Sequence, residues 1–138
     1  MPDAIHHPNT PEGESRFDVG ARVRTQVLGA EHVARNGGTD REAATPLQQL
    51  MTEVGWGTFW TRGTLELRER SIVTVSMLIA LNRPHELRTH LMGALNNGVT
   101  VDQARELIIH AVPYCGFPAA IDAMRVLDEL LADQDRAR

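Results

Sequence analysis

Cysteine, aromatic side chains and long apolar runs are all scarce in this sequence, and each scarcity closes a class of function. The one cysteine, Cys115, leaves no intrachain disulfide, no CxxC redox pair and no cysteine-based zinc cluster. Such sparing use of cysteine makes the cytoplasm the expected compartment. Aromatics are only 4% of the chain, so Leu, Val, Ile, Ala and Met must build the core, which favours helices over a β-sandwich. The longest apolar stretch, around Ile72 to Leu81, is interrupted by Thr74 and Ser76 and is far shorter than the roughly 20 residues of a membrane span. The opening Met1-Pro2-Asp3-Ala4-Ile5 has neither a basic region nor an apolar run, so it does not read as a secretory signal. An excess of basic charge is missing too. Fourteen basic residues stand against 18 acidic ones, for a net charge of -4, and no field is available to hold a polyanion. Neither nucleic acid nor a membrane is an expected partner.

What is present is an all-α pattern. A length of 138 residues suits one domain with a modest core. Residues 1–15 carry three prolines and little to bury and read as a flexible tail; the His6-His7 pair there reads as solvated rather than as a metal site. The domain is expected over 16–134. Val19, Val23, Val27 and Leu28 recur at helical spacing from Phe17 to about Val33, with Asn36-Gly37-Gly38 as the stop. Thr45-Pro46-Leu47-Gln48 is a capping box that opens a second helix, running to about Val54. Gly55 to Gly63 reads as an irregular, aromatic-rich connector because of its glycines.

The stretch Leu65 to Leu81 predicts a long helix whose second half is apolar on nearly every face. It therefore requires cover that one small domain does not supply, and subunit association is expected. Pro84 in the first turn and Asn97-Gly98 at the end bound a helix that presents Arg83, Glu86, Leu87, His90, Leu91 and Ala94 broadly on one side. Thr100-Val101-Asp102-Gln103 is another capping box, opening a helix expected to stop near Pro113, and a last helix follows from about Pro118 to Asp133. The sum is about six helices, without a strand-length alternating run.

Four segments, in order and spacing, resemble the carboxymuconolactone decarboxylase family: Trp56-Gly57 through Trp60-Thr61-Arg62; the helix from Arg70 to Asn82; Glu86-Leu87-Arg88-Thr89-His90 with Asn96-Asn97-Gly98-Val99-Thr100; and Tyr114-Cys115-Gly116 with Pro118-Ala119-Ala120. The resemblance starts near the Arg16-Phe17-Asp18 opening and reaches the last helix. It implies the alkyl hydroperoxidase D-like all-helical fold and a ring-like homo-oligomer such as a hexamer. The wider family includes thiol peroxidases marked by CxxC with His four residues later. With that His on His90, the cysteine positions fall on Arg83 and Glu86, and the upstream relay Glu falls on Ser71. A dithiol cycle is not available from these residues, which points to the decarboxylase branch.

The substrate that this resemblance implies is a small unsaturated dicarboxylate lactone. As the ring carboxylate leaves, its electrons flow through the ring double bond to the lactone carbonyl, so no metal or organic cofactor is expected. The protein must supply a carboxylate clamp, oxyanion donors and an acid. Among the matching arginines, Arg62, Arg70, Arg83 and Arg88, the first and third are the expected clamps because a guanidinium fork grips a carboxylate with two hydrogen bonds. Each also reads as a surface residue or an ion-pair partner of Glu66, Glu69 or Glu86. His90 is the expected acid, the side chain whose ordinary pKa lies near neutrality, and Glu86 one turn earlier is placed to orient it. Tyr114, and backbone amides near Cys115, are candidate oxyanion donors; Trp56 and Trp60 are expected to wall the pocket or anchor an interface. A peroxidase of the same fold, a non-catalytic helical oligomer and action on another lactone remain the alternatives, since one fold hosts many chemistries.

Overall fold

The fold is a computed structural model that describes residues 11–138; the His6-His7 pair and most of the expected tail lie outside the described residues. Seven α-helices and one π-helix, with no strand among the described residues, make the chain all-α: α1 (Arg16–Leu28), α2 (Ala30–Arg35), α3 (Pro46–Leu50), the π-helix (Met51–Phe59), α4 (Leu67–Ala80), α5 (Pro84–Asn96), α6 (Val101–Cys115) and α7 (Phe117–Arg136). The described residues form two compact units, divided between Leu67 and Arg68.

Unit 1 begins at a reciprocal cap. The Ser15 hydroxyl accepts from the Asp18 amide while the Asp18 carboxylate accepts from the Ser15 amide, so two of the donors that a helix start leaves over are satisfied. The helix expected to continue to Val33 is broken at Gly29, whose φ of 87° is open to glycine and strained for other residues. Its amide still donates to the Thr25 carbonyl, closing α1 before α2 starts.

The stretch from Gly55 expected to be irregular is instead helical as far as Phe59. Thr45 and Gln48 form the anticipated capping box of α3, but the chain then widens into π geometry instead of unwinding, with the Trp60 amide donating to the Gly55 carbonyl five residues back. Thr58 adds its hydroxyl to the Glu53 carbonyl, and Thr61 caps the carbonyls of Gly57 and Thr58. Gly57 is there for tertiary reasons. A Cβ at Gly57 would lie 2.3 Å from the Arg16 carbonyl oxygen, and one at Gly20 would lie 2.0 Å from the Thr52 carbonyl oxygen. The π-helix therefore meets α1 backbone to backbone through two glycines, a contact that local propensity does not reveal.

Unit 2 is built on one apolar cluster. Val75 and Ile79 of α4, Leu87, Leu91 and Ala94 of α5, Ile108 of α6, and Ala123, Leu127 and Leu130 of α7 are all buried in it. Asn82, with φ of 52°, closes α4 in the left-handed conformation that Asn tolerates better than most residues; the Arg83 amide donates to the Leu78 carbonyl and Arg83 is the N-cap of α5. The expected stop at Pro113 does not occur. Pro113 removes one amide from α6, yet the next turn holds because the Gly116 amide reaches the Val112 carbonyl at 2.9 Å. Gly116, at φ 86°, is both the end of α6 and the N-cap of α7. The apolar second half of α4 is only partly covered: Val73, Met77 and Leu81, spaced four apart, stay exposed.

Candidate active site

In unit 1 the residues after the π-helix and one face of α1 enclose a pocket of about 280 Å³, at the small end of the range for ligand sites. Val19, Arg22 and Val23 come from α1 at positions i, i+3 and i+4, the spacing that puts three side chains on one helix face. Trp60, Thr61, Arg62 and Glu66 supply the facing wall. Trp60 stacks on the buried Trp56 with ring centroids 4.7 Å apart and planes 29° apart, which fixes the indole that lines the pocket. Of the residues singled out from the sequence, Trp60 and Arg62 are thus brought to one pocket, with Trp56 behind them. Arg22 was not anticipated. Its signal was present in the i, i+3, i+4 pattern with Val19 and Val23, but no motif marks it. Its NH2 donates to a Glu14 carboxylate oxygen at 2.9 Å.

In unit 2 the helix α5 carries the other candidates along an edge. Leu87, Leu91 and Ala94 go into the core, His90 is half-buried beside them, and Glu86 and Arg83 are exposed. Nδ1 of His90 and Nε of Arg70 are sealed from solvent and make no hydrogen bond of their own, while both residues take part in other interactions. Arg88 is tied down: its NH2 donates to Asp133 of α7 at 2.6 Å, a partner other than the Glu residues that sequence proximity suggests. Arg83 lines a crevice of about 10 Å³ beside Pro84 and Asp122, room for one water molecule at most.

Tyr114 and Cys115 part company at the end of α6. Tyr114 is 80% exposed and its ring lies tilted against His110 at 5.7 Å, whereas Cys115 is half-buried against the core cluster. The Gly116 amide is spent on Val112 and Pro118 has no amide to give, so the start of α7 offers fewer donors than its position suggests. An open apolar groove of about 300 Å³ runs along α6, lined by Ile72, Val99, Leu107 and His110 and bridged at one side by the 2.8 Å hydrogen bond from Arg68 to Gln103. None of the residues selected from the sequence lines it. Ser71, where the thiol branch would have its Glu, is fully buried and accepts a hydrogen bond from Asn97 Nδ2 at 2.9 Å.

Arg24 and Asp133 depart from ordinary behaviour. Arg24 is buried in unit 1, and loss of water lowers its pKa; its NH2 donates to the Asn36 carbonyl at 2.7 Å. Asp133 is held below the usual carboxylate range, first by its hydrogen bond from Arg136 and then by that from Arg88. Among the described residues no group of three His, Cys, Asp or Glu side chains is arranged to hold a metal ion, and no helix is long and apolar enough to cross a membrane.

Residues 45–129 match the sequence profile of the Carboxymuconolactone decarboxylase family. Among curated proteins, the chain is similar to the 4-carboxymuconolactone decarboxylase of Acinetobacter baylyi, 41% identical over 120 residues that cover 87% of this chain and 90% of that one. It is equally similar to the nitrosuccinic acid decarboxylase npaB of Metarhizium robertsii, 41% identical over 117 residues, 85% of this chain and 82% of that one.

Proposed function

We propose that this chain, which belongs to the carboxymuconolactone decarboxylase family, is a cytoplasmic, cofactor-independent carboxy-lyase that converts 4-carboxymuconolactone to 3-oxoadipate enol-lactone and CO2 in the protocatechuate branch of the β-ketoadipate pathway. The observation that carries the reading is the likeness to the Acinetobacter decarboxylase over nine-tenths of its length. The chemistry agrees with the residue inventory. Loss of the ring carboxylate sends an electron pair through the ring double bond into the lactone carbonyl, so the substrate is its own electron sink. What remains for the protein is to bind carboxylates, shelter the charge and deliver a proton.

His90 delivers the proton to the ring carbon, imidazole being the side chain suited to proton exchange near neutrality, and Glu86, one turn earlier on α5, orients it. Arg62 holds a carboxylate, since it lines a pocket of substrate size, and Trp56 and Trp60 keep water from it. Arg70 and Arg83 are the remaining cations of the machinery. Arg88 serves through its bond to Asp133, as a brace for α5, and Tyr114 and Cys115 are assigned as oxyanion donor and packing group. The working form is a homo-oligomer in which a second copy covers the exposed Val73, Met77 and Leu81 of α4; a stable monomer in sedimentation would overturn that part.

A second reading has its own support. Nitrosuccinic acid is a dicarboxylic acid whose nitro group can accept the electron pair of a departing carboxylate, so the relative from Metarhizium fits the same requirement with a different sink. The substrate class common to both is a small dicarboxylate that carries its electron acceptor.

The test follows loss of 4-carboxymuconolactone, generated in situ from 3-carboxy-cis,cis-muconate, with wild type and His90→Ala side by side. Turnover without added cofactor, abolished in a variant with unchanged circular dichroism, is the expected result. Retained turnover in His90→Ala removes that residue from the role of acid. No wild-type turnover, with nitrosuccinate consumed instead, selects the second substrate.

A further inference from the structure

We propose that Arg22 is a second carboxylate-binding arginine of the unit 1 pocket, acting with Arg62 on the two ends of a small dicarboxylate, and that Glu14 is an internal carboxylate which the ligand displaces. This rests on the reading that the pocket takes the substrate. The requirement is one of valence. A guanidinium fork engages one carboxylate fully with two parallel N–H donors, so a dicarboxylate held at both ends calls for two forks. The pocket has two, Arg22 from α1 and Arg62 from the segment after the π-helix. All 14 basic residues of the chain are arginine, and Arg22 is one of those that no sequence motif marks.

Arg22 already displays the chemistry. One of its nitrogens, NH2, donates to Glu14 Oε2 at 2.9 Å, and its Nε and NH1 make no hydrogen bond among the described residues. A fork that spends one of its nitrogens on an exposed carboxylate keeps donors for another. Both partners are about half exposed, 53% for Arg22 and 40% for Glu14, so the pair is easily exchanged. Glu66 also lines the pocket. The two cations are thus balanced by two carboxylates of the chain itself, and a ligand must compete with them rather than meet a bare positive field.

The elements from which the two forks reach the pocket are joined by a close backbone contact. Gly20, two residues before Arg22, lies against Thr52 and Gly57 with no room for a methyl group, so α1 and the π-helix cannot slide without a clash. Two forks carried on elements anchored in this way favour a ligand that presents two carboxylates. A monocarboxylate gains nothing from the second arginine.

The experiment is a calorimetric titration of the full-length protein with succinate and glutarate as non-reacting dicarboxylates and propionate as the monocarboxylate, checked by fluorescence of Trp60 in the pocket wall. Arg22→Gln is expected to weaken the better dicarboxylate at least tenfold and to leave propionate within twofold. Glu14→Gln is expected to tighten the dicarboxylate several-fold. Arg41→Gln, whose side chain pairs with Glu53 and lies off the pocket, is the control for loss of one surface charge. In turnover, Arg22→Gln raises KM more than it lowers kcat. Should Arg22→Gln fail to fold, Arg22→Lys keeps the charge without the fork and is expected to fall between wild type and the loss seen for Arg62→Gln. The proposal is overturned if wild type binds neither dicarboxylate, or if Arg22→Gln binds them as Arg41→Gln does. Lactone turnover with an unaltered KM in Arg22→Gln would overturn it while leaving the decarboxylase reading intact. Arg22-dependent dicarboxylate binding without lactone turnover would do the reverse.

Discussion

Replacing Gly20 or Gly57 with alanine tests the backbone contact that positions the pocket. The new methyl carbon would sit 2.0 Å from the Thr52 carbonyl oxygen at Gly20, and 2.3 Å from the Arg16 carbonyl oxygen at Gly57. Each falls more than an ångström short of ordinary contact. The obstacle is main chain in both cases, so relief requires α1 and the π-helix to move apart. Overpacking of this kind costs about 1–3 kcal/mol and occasionally more, against a helix-propensity gain of roughly 0.5–1 kcal/mol for Gly→Ala. Main chain yields less readily than a side chain, so the upper end of the clash cost applies, and the net expectation is a loss of about 2 kcal/mol for each variant and a Tm lower by roughly 7 °C. Both methyls enter one gap, so the double variant should lose less than the sum of the two. Gly55→Ala is the internal reference: no atom lies within 4 Å of its Cβ position, and stability should hold within about 0.5 kcal/mol. Urea unfolding followed by far-ultraviolet circular dichroism and tryptophan emission reads all four. Wild-type stability in Gly20→Ala and Gly57→Ala, or a loss confined to Gly55→Ala, would refute the reasoning.

Other substitutions probe single interactions. Ser71→Ala removes the buried acceptor used by Asn97 Nδ2 and should cost about 1 kcal/mol in urea unfolding. At Asn82, where φ is 52°, glycine should be tolerated while valine should lose about 1–2 kcal/mol, because a β-branched side chain is strained in the left-handed region; thermal melts of the pair decide this. Arg24→Met keeps most of the buried volume and sheds the desolvated charge, so it should stay within about 1 kcal/mol of wild type, whereas Arg24→Ala opens a cavity and should lose about 2–4 kcal/mol. Asp133 titrates below its ordinary range, so its bonds to Arg136 and Arg88 stabilise the fold fully above about pH 4 and lose that effect as pH falls through the lowered value. Asp133→Asn should therefore have a slightly flatter acid limb in stability against pH, and an unchanged acid limb would count against the pairing.

Capping signals were legible because they are local. Ser15-Arg16-Phe17-Asp18, Thr45 with Gln48 and Thr100 with Gln103 each carry donor and acceptor within four residues, so the sequence alone predicts the last two starts where the structure has them. The stops were harder. Gly29 breaks the first helix although its neighbours keep the apolar period, and Pro113 fails to break α6 because a single missing amide is outweighed by the packing of Ile108 and Ala111 in the core cluster. The π-helix was hidden for a different reason: Gly55 and Gly57 look like breakers, and only the close approach of the Arg16 carbonyl on α1 explains one of them. At the site, Arg62 and Trp60 were recoverable from motifs near one another in sequence. Arg22, some forty residues earlier on α1, was not, because its place in the pocket depends on a tertiary contact. The partnering of Arg88 with Asp133, 45 residues away, was invisible on the same grounds.

The stacked indoles of Trp56 and Trp60 have an optical consequence. They are the only two tryptophans in the chain, and at 4.7 Å with planes 29° apart their excited states are coupled. Their circular dichroism should show an exciton couplet, a pair of opposite-signed bands from the coupled indoles. That couplet lies over the helical bands in the far ultraviolet, so a helix content taken from amplitude alone will be biased. Its sign and size follow the twist between two residues of one π-turn, and the chain therefore carries an unlabelled gauge of whether that turn keeps its wide pitch.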